Sequence, residues 1–178
     1  MKSYINHIYG SPLVLTMTLA CLPFKSQSEE LFISTGIGTM FISDSSHDVS
    51  NKANYSFALG VEEKHVRGYL VYNYIDSISE TSTRNGLKLQ QYGSAFDFIN
   101  PVGKLLPYLT VGVLVNDYSV ISNNQSFDGK HISPYLGVGL GYKYENVELG
   151  IQYKYQNSVL DDSFGDFSAH FANFYFKL

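Results

Sequence analysis

Between Val147 and Tyr155 every second residue is oily. Val147, Leu149, Ile151, Tyr153 and Tyr155 share one parity, and Glu148, Gly150, Gln152 and Lys154 share the other. Successive side chains of a strand leave opposite faces, so this stretch predicts a ribbon with one apolar and one polar side. The same period recurs at 135–144, where Leu136, Val138, Leu140, Tyr142 and Tyr144 oppose Tyr135, Gly137, Gly139, Gly141 and Lys143. It recurs again at 55–62, where Tyr55, Phe57, Leu59 and Val61 oppose Ser56, Ala58, Gly60 and Glu62. No helical period emerges after Leu31. The alternation predicts eight strands, near 31–42, 54–63, 66–76, 86–98, 107–118, 133–144, 147–156 and 168–178. In 86–98, Leu87 and Leu89 take one parity while Phe96 and Phe98 take the other, and a bulge near Gln90-Gln91-Tyr92 would reconcile them.

Composition sets limits on what such strands can build. The chain of 178 residues suffices for one domain. Charged residues are 16% of it, against roughly 25% in an average soluble domain. There are 15 Tyr, 12 Phe and 15 Gly but no Trp. Mean hydropathy is −0.07, which fits neither a helical membrane protein nor a disordered chain. A net charge of −4 argues against a nucleic-acid partner, and one cysteine excludes an intramolecular disulfide framework.

The first 28 residues read as an address. Lys2 is followed by an apolar run from Pro12 to Leu22, and Ser26-Gln27-Ser28 offers small residues at the −3 and −1 positions of a cut before Glu29. Basic tip, apolar middle and small-residue exit are the layout of a cleaved secretory signal, and the run is too short to span a bilayer as a helix. Thr18-Leu19-Ala20-Cys21 only partly matches a lipoprotein cleavage box, because Thr18 stands where leucine is expected. The expected division is signal peptide 1–28 and barrel 29–178. Cleavage removes two lysines and no acid, leaving a net charge of −6.

Connections between the strands alternate in length. Segments 43–53, 77–85, 119–132 and 157–167 are long and rich in Ser, Asn and Asp, whereas the links at Lys64-His65, 100–104 and Glu145-Asn146 are short. Long outer loops with short inner turns are the pattern of an outer-membrane barrel. A soluble barrel would turn its oily residues inward and its charges outward; a membrane barrel does the reverse. Ring placement favours the membrane. Tyr55, Phe57, Tyr72, Tyr74, Tyr153 and Tyr155 fall at one end of the strands, Phe96, Phe98, Tyr142, Tyr144, Phe174 and Phe176 at the other, with aliphatic residues between. The opposite face is small or polar. Ser34, Gly36, Gly38, Ala58, Gly60, Gly137, Gly139, Gly141 and Gly150 supply space, and Glu62, Arg67, Lys143, Glu148, Gln152, Lys154, Asn173 and Lys177 supply polar groups, with Asp97 as a third acid. Eight strands leave an interior that side chains just fill, so a general porin is not expected.

Phe174, Phe176 and Leu178 alternate to the last residue, with Tyr175 and Lys177 on the other face, and two segments begin Pro107-Tyr108-Leu109 and Pro134-Tyr135-Leu136. In these features residues 31–178 resemble the small eight-stranded outer-membrane barrels, in particular opacity-type and OmpA-like surface proteins. The resemblance implies an all-β fold: an eight-stranded antiparallel transmembrane β-barrel, an up-and-down meander, without the peptidoglycan-binding domain of longer members. It implies residence in the bacterial outer membrane as a monomer, among outer-membrane lipid and lipopolysaccharide. It also implies handling by the barrel assembly machinery during insertion, although that family usually ends in Phe where Leu178 stands. A host or surface ligand at the four outer loops would make the role adhesion or recognition.

Chemistry is weakly signalled. Lipid A 3-O-deacylases carry a His-x-Ser pair on a lipid-facing strand; here His170 is followed two places on by Ala172, and Ser168 precedes it instead. Asp44, His47 and Asp48, with Asp161, Asp162 and Asp166, place oxygen donors in two long loops where a divalent ion could bind. Acidic, Ser/Asn-rich loops are far more often just solvated, and no catalytic, cofactor or metal residue is assigned, so the expectation is a protein that is not an enzyme. The competing expectations are a lipid-modifying barrel enzyme and a soluble secreted ligand-binding barrel.

Overall fold

The computed structural model describes residues 30–44, 47–78, 87–122, 125–159 and 167–178. They form eight strands: β1 (Glu30–Asp44), β2 (His47–Glu63), β3 (Val66–Ile78), β4 (Leu87–Ile99), β5 (Leu105–Ser122), β6 (Gln125–Tyr144), β7 (Val147–Gln156) and β8 (Phe167–Lys177). Each pairs antiparallel with its neighbours in sequence, and β1 pairs with β8 to close the barrel. The seam runs from Ser34↔Lys177 to Asp44↔Phe167, and reciprocal backbone hydrogen bonds of 3.0 and 2.9 Å join Ile33 to Leu178 beyond it. Closure removes the unpaired edges that an open eight-stranded sheet would expose.

The two ends of the barrel differ. At the turn end, Lys64-His65 and Glu145-Asn146 join β2 to β3 and β6 to β7 directly. Glu145 adopts φ 55°, the positive φ favoured in two-residue hairpin turns, whereas Lys64-His65 turns without one. Gly103, at φ 65°, serves the β4–β5 connection, where Val102 bridges to Leu105. At the loop end the strands run much further than their oily stretches. β5 and β6 have 18 and 20 residues and remain paired up to Ser122↔Gln125, while β7 has 10. Segments 43–53 and 119–132, expected to be loops, are therefore largely paired strand. Their polar residues gave no alternating signal because strands standing clear of the belt need no oily face.

Strand facing follows the alternation. Ile151 is 60% and Val138 55% exposed, while Glu148 and Lys154 are 1% and 4% exposed. Leu136, Leu140, Leu149, Tyr55, Phe57 and Leu59 also point outward. A soluble barrel would bury these residues and expose the charges, so the secreted-barrel expectation fails on side-chain direction. Tyr55 and Tyr74 pair at 6.5 Å between ring centroids toward the loop end. Phe174 departs from the expected turn-end girdle: it lies in register with Ile37 and Ile151, inside the aliphatic band.

The bulge expected in β4 is absent. Its registers with β3 and β5 are continuous through Gln90, Gln91 and Tyr92, and the irregularity falls on β3 between Ile75 and Ile78. Leu89 simply faces inward, where it is 1% exposed. The phase conflict arose from assuming that every large aliphatic must look outward. The signal segment 1–28, with Cys21, lies outside the described residues.

Candidate functional site

The polar groups that alternation turns inward meet on the barrel axis. At the turn end, Arg67 of β3 is the hub. Its Nε lies 2.8 Å from Glu62 of β2, Nη1 3.3 Å from Asp97 of β4, and Nη2 2.8 Å from Glu148 of β7 across the lumen. Lys177 of β8 bonds Glu62 as well and lies 2.9 Å from Glu148. Hydroxyls complete the carboxylates: Tyr175 donates to Glu148 at 2.5 Å, and Tyr69 and Thr110 donate to Asp97 at 2.9 and 2.7 Å. The Arg67 guanidinium stacks between the rings of Phe32 and Tyr108, at 5.4 and 5.7 Å. Buried charges must be paired and hydrogen-bonded to be tolerated, and here three acids surround one guanidinium with a lysine beside them. Lys154, higher in the lumen, lies 5.6 Å from the Tyr135 ring. Lys143, expected to face the lumen, does so at its turn-end mouth, where it is exposed beside Glu148.

The inward glycines make room for rings on the neighbouring strand. A Cβ on Gly139 would overlap the Tyr108 ring, one on Gly112 the Tyr135 ring, and one on Gly150 the Tyr175 ring. Small residues opposite large ones fill a narrow barrel without voids. Tyr69 and Tyr108 were absent from the expected lumen set; the signal for Tyr108 was its register opposite a glycine-rich face.

Above the charges lies a layer of amides. Gln91 Nε2 donates to Asn116 and Gln156 at 2.7 and 2.8 Å, Asn73 donates to Gln91 at 3.1 Å, and Asn116 donates to Ser133 at 2.9 Å. Above that layer, Met40, Ile75, Leu89, Tyr118, Val159, Ala169 and Phe171 form an apolar cap inside the barrel. Sequence reasoning missed this cap because it expected the lumen to be polar throughout. A void of about 40 Å³ among Arg67, Asp97, Lys154 and Asn173 holds a few waters at most. At the turn end a vestibule of about 410 Å³ ends on Glu62, Glu148 and Lys177. Salt bridges, amides and cap thus stopper the lumen in series.

Two histidines lie against hydroxyl groups. His170 lies on the outer wall as expected, but its Nδ1 is 2.5 Å from the Tyr153 hydroxyl, and its ring lies 5.1 Å from that of Tyr155. At the loop-end mouth, Ser158 Oγ lies 3.3 Å from His131 Nε2, with Ser158 at φ 56°. Among the described residues no carboxylate bonds the other nitrogen of His131 or of His170. Of the suggested metal donors, Asp161, Asp162 and Asp166, and the side chains of Asp44, His47 and Asp48, lie outside the described residues.

No protein-family model matches the sequence, and no curated protein matches it. Solved structures do. Neisserial surface protein A superposes with a TM-score of 0.71 at 14% identity, over 85% of this chain and 99% of that one. Ail, the attachment invasion locus protein of Yersinia pestis, gives a TM-score of 0.64 at 16% identity, over 86% of this chain and 100% of that one. Ail in complex with the heparin analogue sucrose octasulfate gives 0.62 at 15%, over 85% and 99%. At such identities the likeness concerns the fold, and it agrees with the facing of the residues. An oily belt around a closed barrel is out of place in water and required in a bilayer. The chain is a small eight-stranded β-barrel of the bacterial outer membrane.

Proposed function

We propose that the protein is a monomeric, non-catalytic surface protein whose strands, prolonged beyond the membrane at the loop end, present a recognition or adhesion surface to the cell exterior. The observation that carries this reading is the contrast in length between β7, with 10 residues, and the β5–β6 hairpin, with 18 and 20. A transmembrane strand needs about 9–11 residues, so β7 only crosses while the hairpin continues several residues past the headgroups. With both termini in the periplasm, that excess stands outside the cell. A stoppered lumen leaves transport without a route, which moves function to the surface. The attachment named for Ail supports this assignment by analogy of fold alone.

The ligand class differs from the sulfated sugar analogue seen with Ail. The chain is net acidic, and at the exposed hairpin Lys130 is engaged by Asp117 at 3.0 Å. A neutral or cationic partner suits this surface better than a polyanion. The test displays the full barrel on cells and replaces residues 119–128 by an Asn-Gly turn. Loss of host-cell binding with unchanged heat-modifiable gel migration is expected. Undiminished binding after this replacement and equivalent trimming of the other outer loops would refute the reading.

A further inference from the structure

The oily belt is interrupted on the wall formed by β6, β7 and β8. Ala172 lies in register with Tyr153, which pairs on its other side with Val138, while Phe174 and Leu140 flank Ile151. A methyl therefore stands where its neighbours carry rings or branched chains. The result is a groove of about 580 Å³, walled by Val138, Leu140, Ile151, Tyr153 and Phe174 and floored at Ala172.

The loop-end margin of this groove is polar. There the Tyr153 hydroxyl meets His170 Nδ1, and Tyr155 packs on the imidazole. His170 is eight residues from Leu178, at the turn end. At ~3.3 Å per residue and a tilt of ~40°, it stands about 20 Å above that end, near the far edge of an apolar band ~25 Å tall. The groove thus runs through hydrocarbon and ends on hydrogen-bonding groups at headgroup depth. In a membrane such a place is bathed in lipid. With the termini in the periplasm, that headgroup depth belongs to the outer leaflet, which is built of phosphorylated glycolipid.

We propose that this groove is a binding site for lipopolysaccharide, one acyl chain lying along Ala172 and a lipid A phosphate meeting the Tyr153–His170 pair. When the Tyr153 hydroxyl donates to Nδ1, the ring keeps its hydrogen on Nε2 and offers it to a phosphate oxygen. The site is independent of the recognition surface above the membrane, since its residues lie on the belt.

The barrel is extracted from outer membranes in mild detergent, and retained deep-rough lipopolysaccharide is counted by native mass spectrometry. Added phosphatidylethanolamine and dephosphorylated lipopolysaccharide serve as competitors. One retained molecule per barrel is expected. Ala172→Phe, which fills the groove, and His170→Phe, which removes the donor, should each reduce retention of the phosphorylated form roughly tenfold. In His170→Phe the preference for the phosphorylated over the dephosphorylated form should be lost. Heat-modifiable migration confirms closure of each variant, and Ala172→Leu replaces any variant that fails to fold. Equal retention by Ala172→Phe and the parent chain, equal competition by phosphatidylethanolamine, or no retained glycolipid would each overturn the proposal. Host-cell binding is read separately, so failure here is distinguishable from failure of the surface role.

Discussion

The two halves of the lumen are filled by opposite means. At the turn end, carboxylates from three strands converge on Arg67, Lys177 of a further strand shares two of them, and tyrosines supply the missing donors. At the loop end, Met40, Leu89 and Phe171 exclude water much as a soluble core would, over a floor of amides. Ion pairs reach across the barrel between strands that never touch, as Arg67 and Glu148 do. They tie the ring together at the end where connections are short, alongside the Tyr108–Tyr175 ring contact. The apolar cap sits where the strands leave the membrane and water could otherwise descend. Charge fixes the cross-section in one half and hydrophobic burial seals the mouth in the other.

Substitutions in each half test that division, read by denaturant titration of the folded barrel in micelles. Arg67→Ala should have the largest effect, about 3–5 kcal/mol, because it leaves Asp97 buried without its ion pair and Glu62 and Glu148 with only Lys177. Adding Glu62→Gln should recover part of the loss, and a cost below about 1 kcal/mol would dissolve the contrast. Phe171→Ala should cost about 3 kcal/mol, the low end for a buried ring, since a site near the mouth can partly collapse. Salt should weaken neither half strongly, because both are shielded from solvent. Gln91→Leu should cost about 1–3 kcal/mol by stranding the amide of Asn73 and the Oε1 of Gln156. Lys130→Ala, on the exposed hairpin, should change stability by less than about 0.5 kcal/mol, although its bond to Asp117 has good geometry.

Strand number, order and facing were legible because a bilayer forces every crossing strand to alternate, and Val147–Tyr155 or Leu136–Tyr144 can satisfy it in only one way. The ion network was legible as an inventory, Asp97 included, but not as pairs. Arg67 and Glu148 are 81 residues apart, and only the closed register brings them together. Where two solvents meet, the pattern failed. Leu89 obeyed an internal apolar cap rather than the membrane, so its parity was mistaken for a bulge. The prolonged ends of β1, β2, β5 and β6 obeyed neither hydrocarbon nor a core, so their polar residues read as loop. The Tyr153–His170 contact was half visible: alternation placed both outward, and register alone set them side by side.

The central claim is the direction in which each row of side chains points, and the lack of native tryptophan permits a direct test. Ile151→Trp and Gln152→Trp would be reconstituted separately into vesicles of brominated phospholipid, and indole fluorescence compared with that in unbrominated vesicles. The account predicts strong quenching at position 151 and little at 152. Strong quenching at 152 with none at 151 would contradict it.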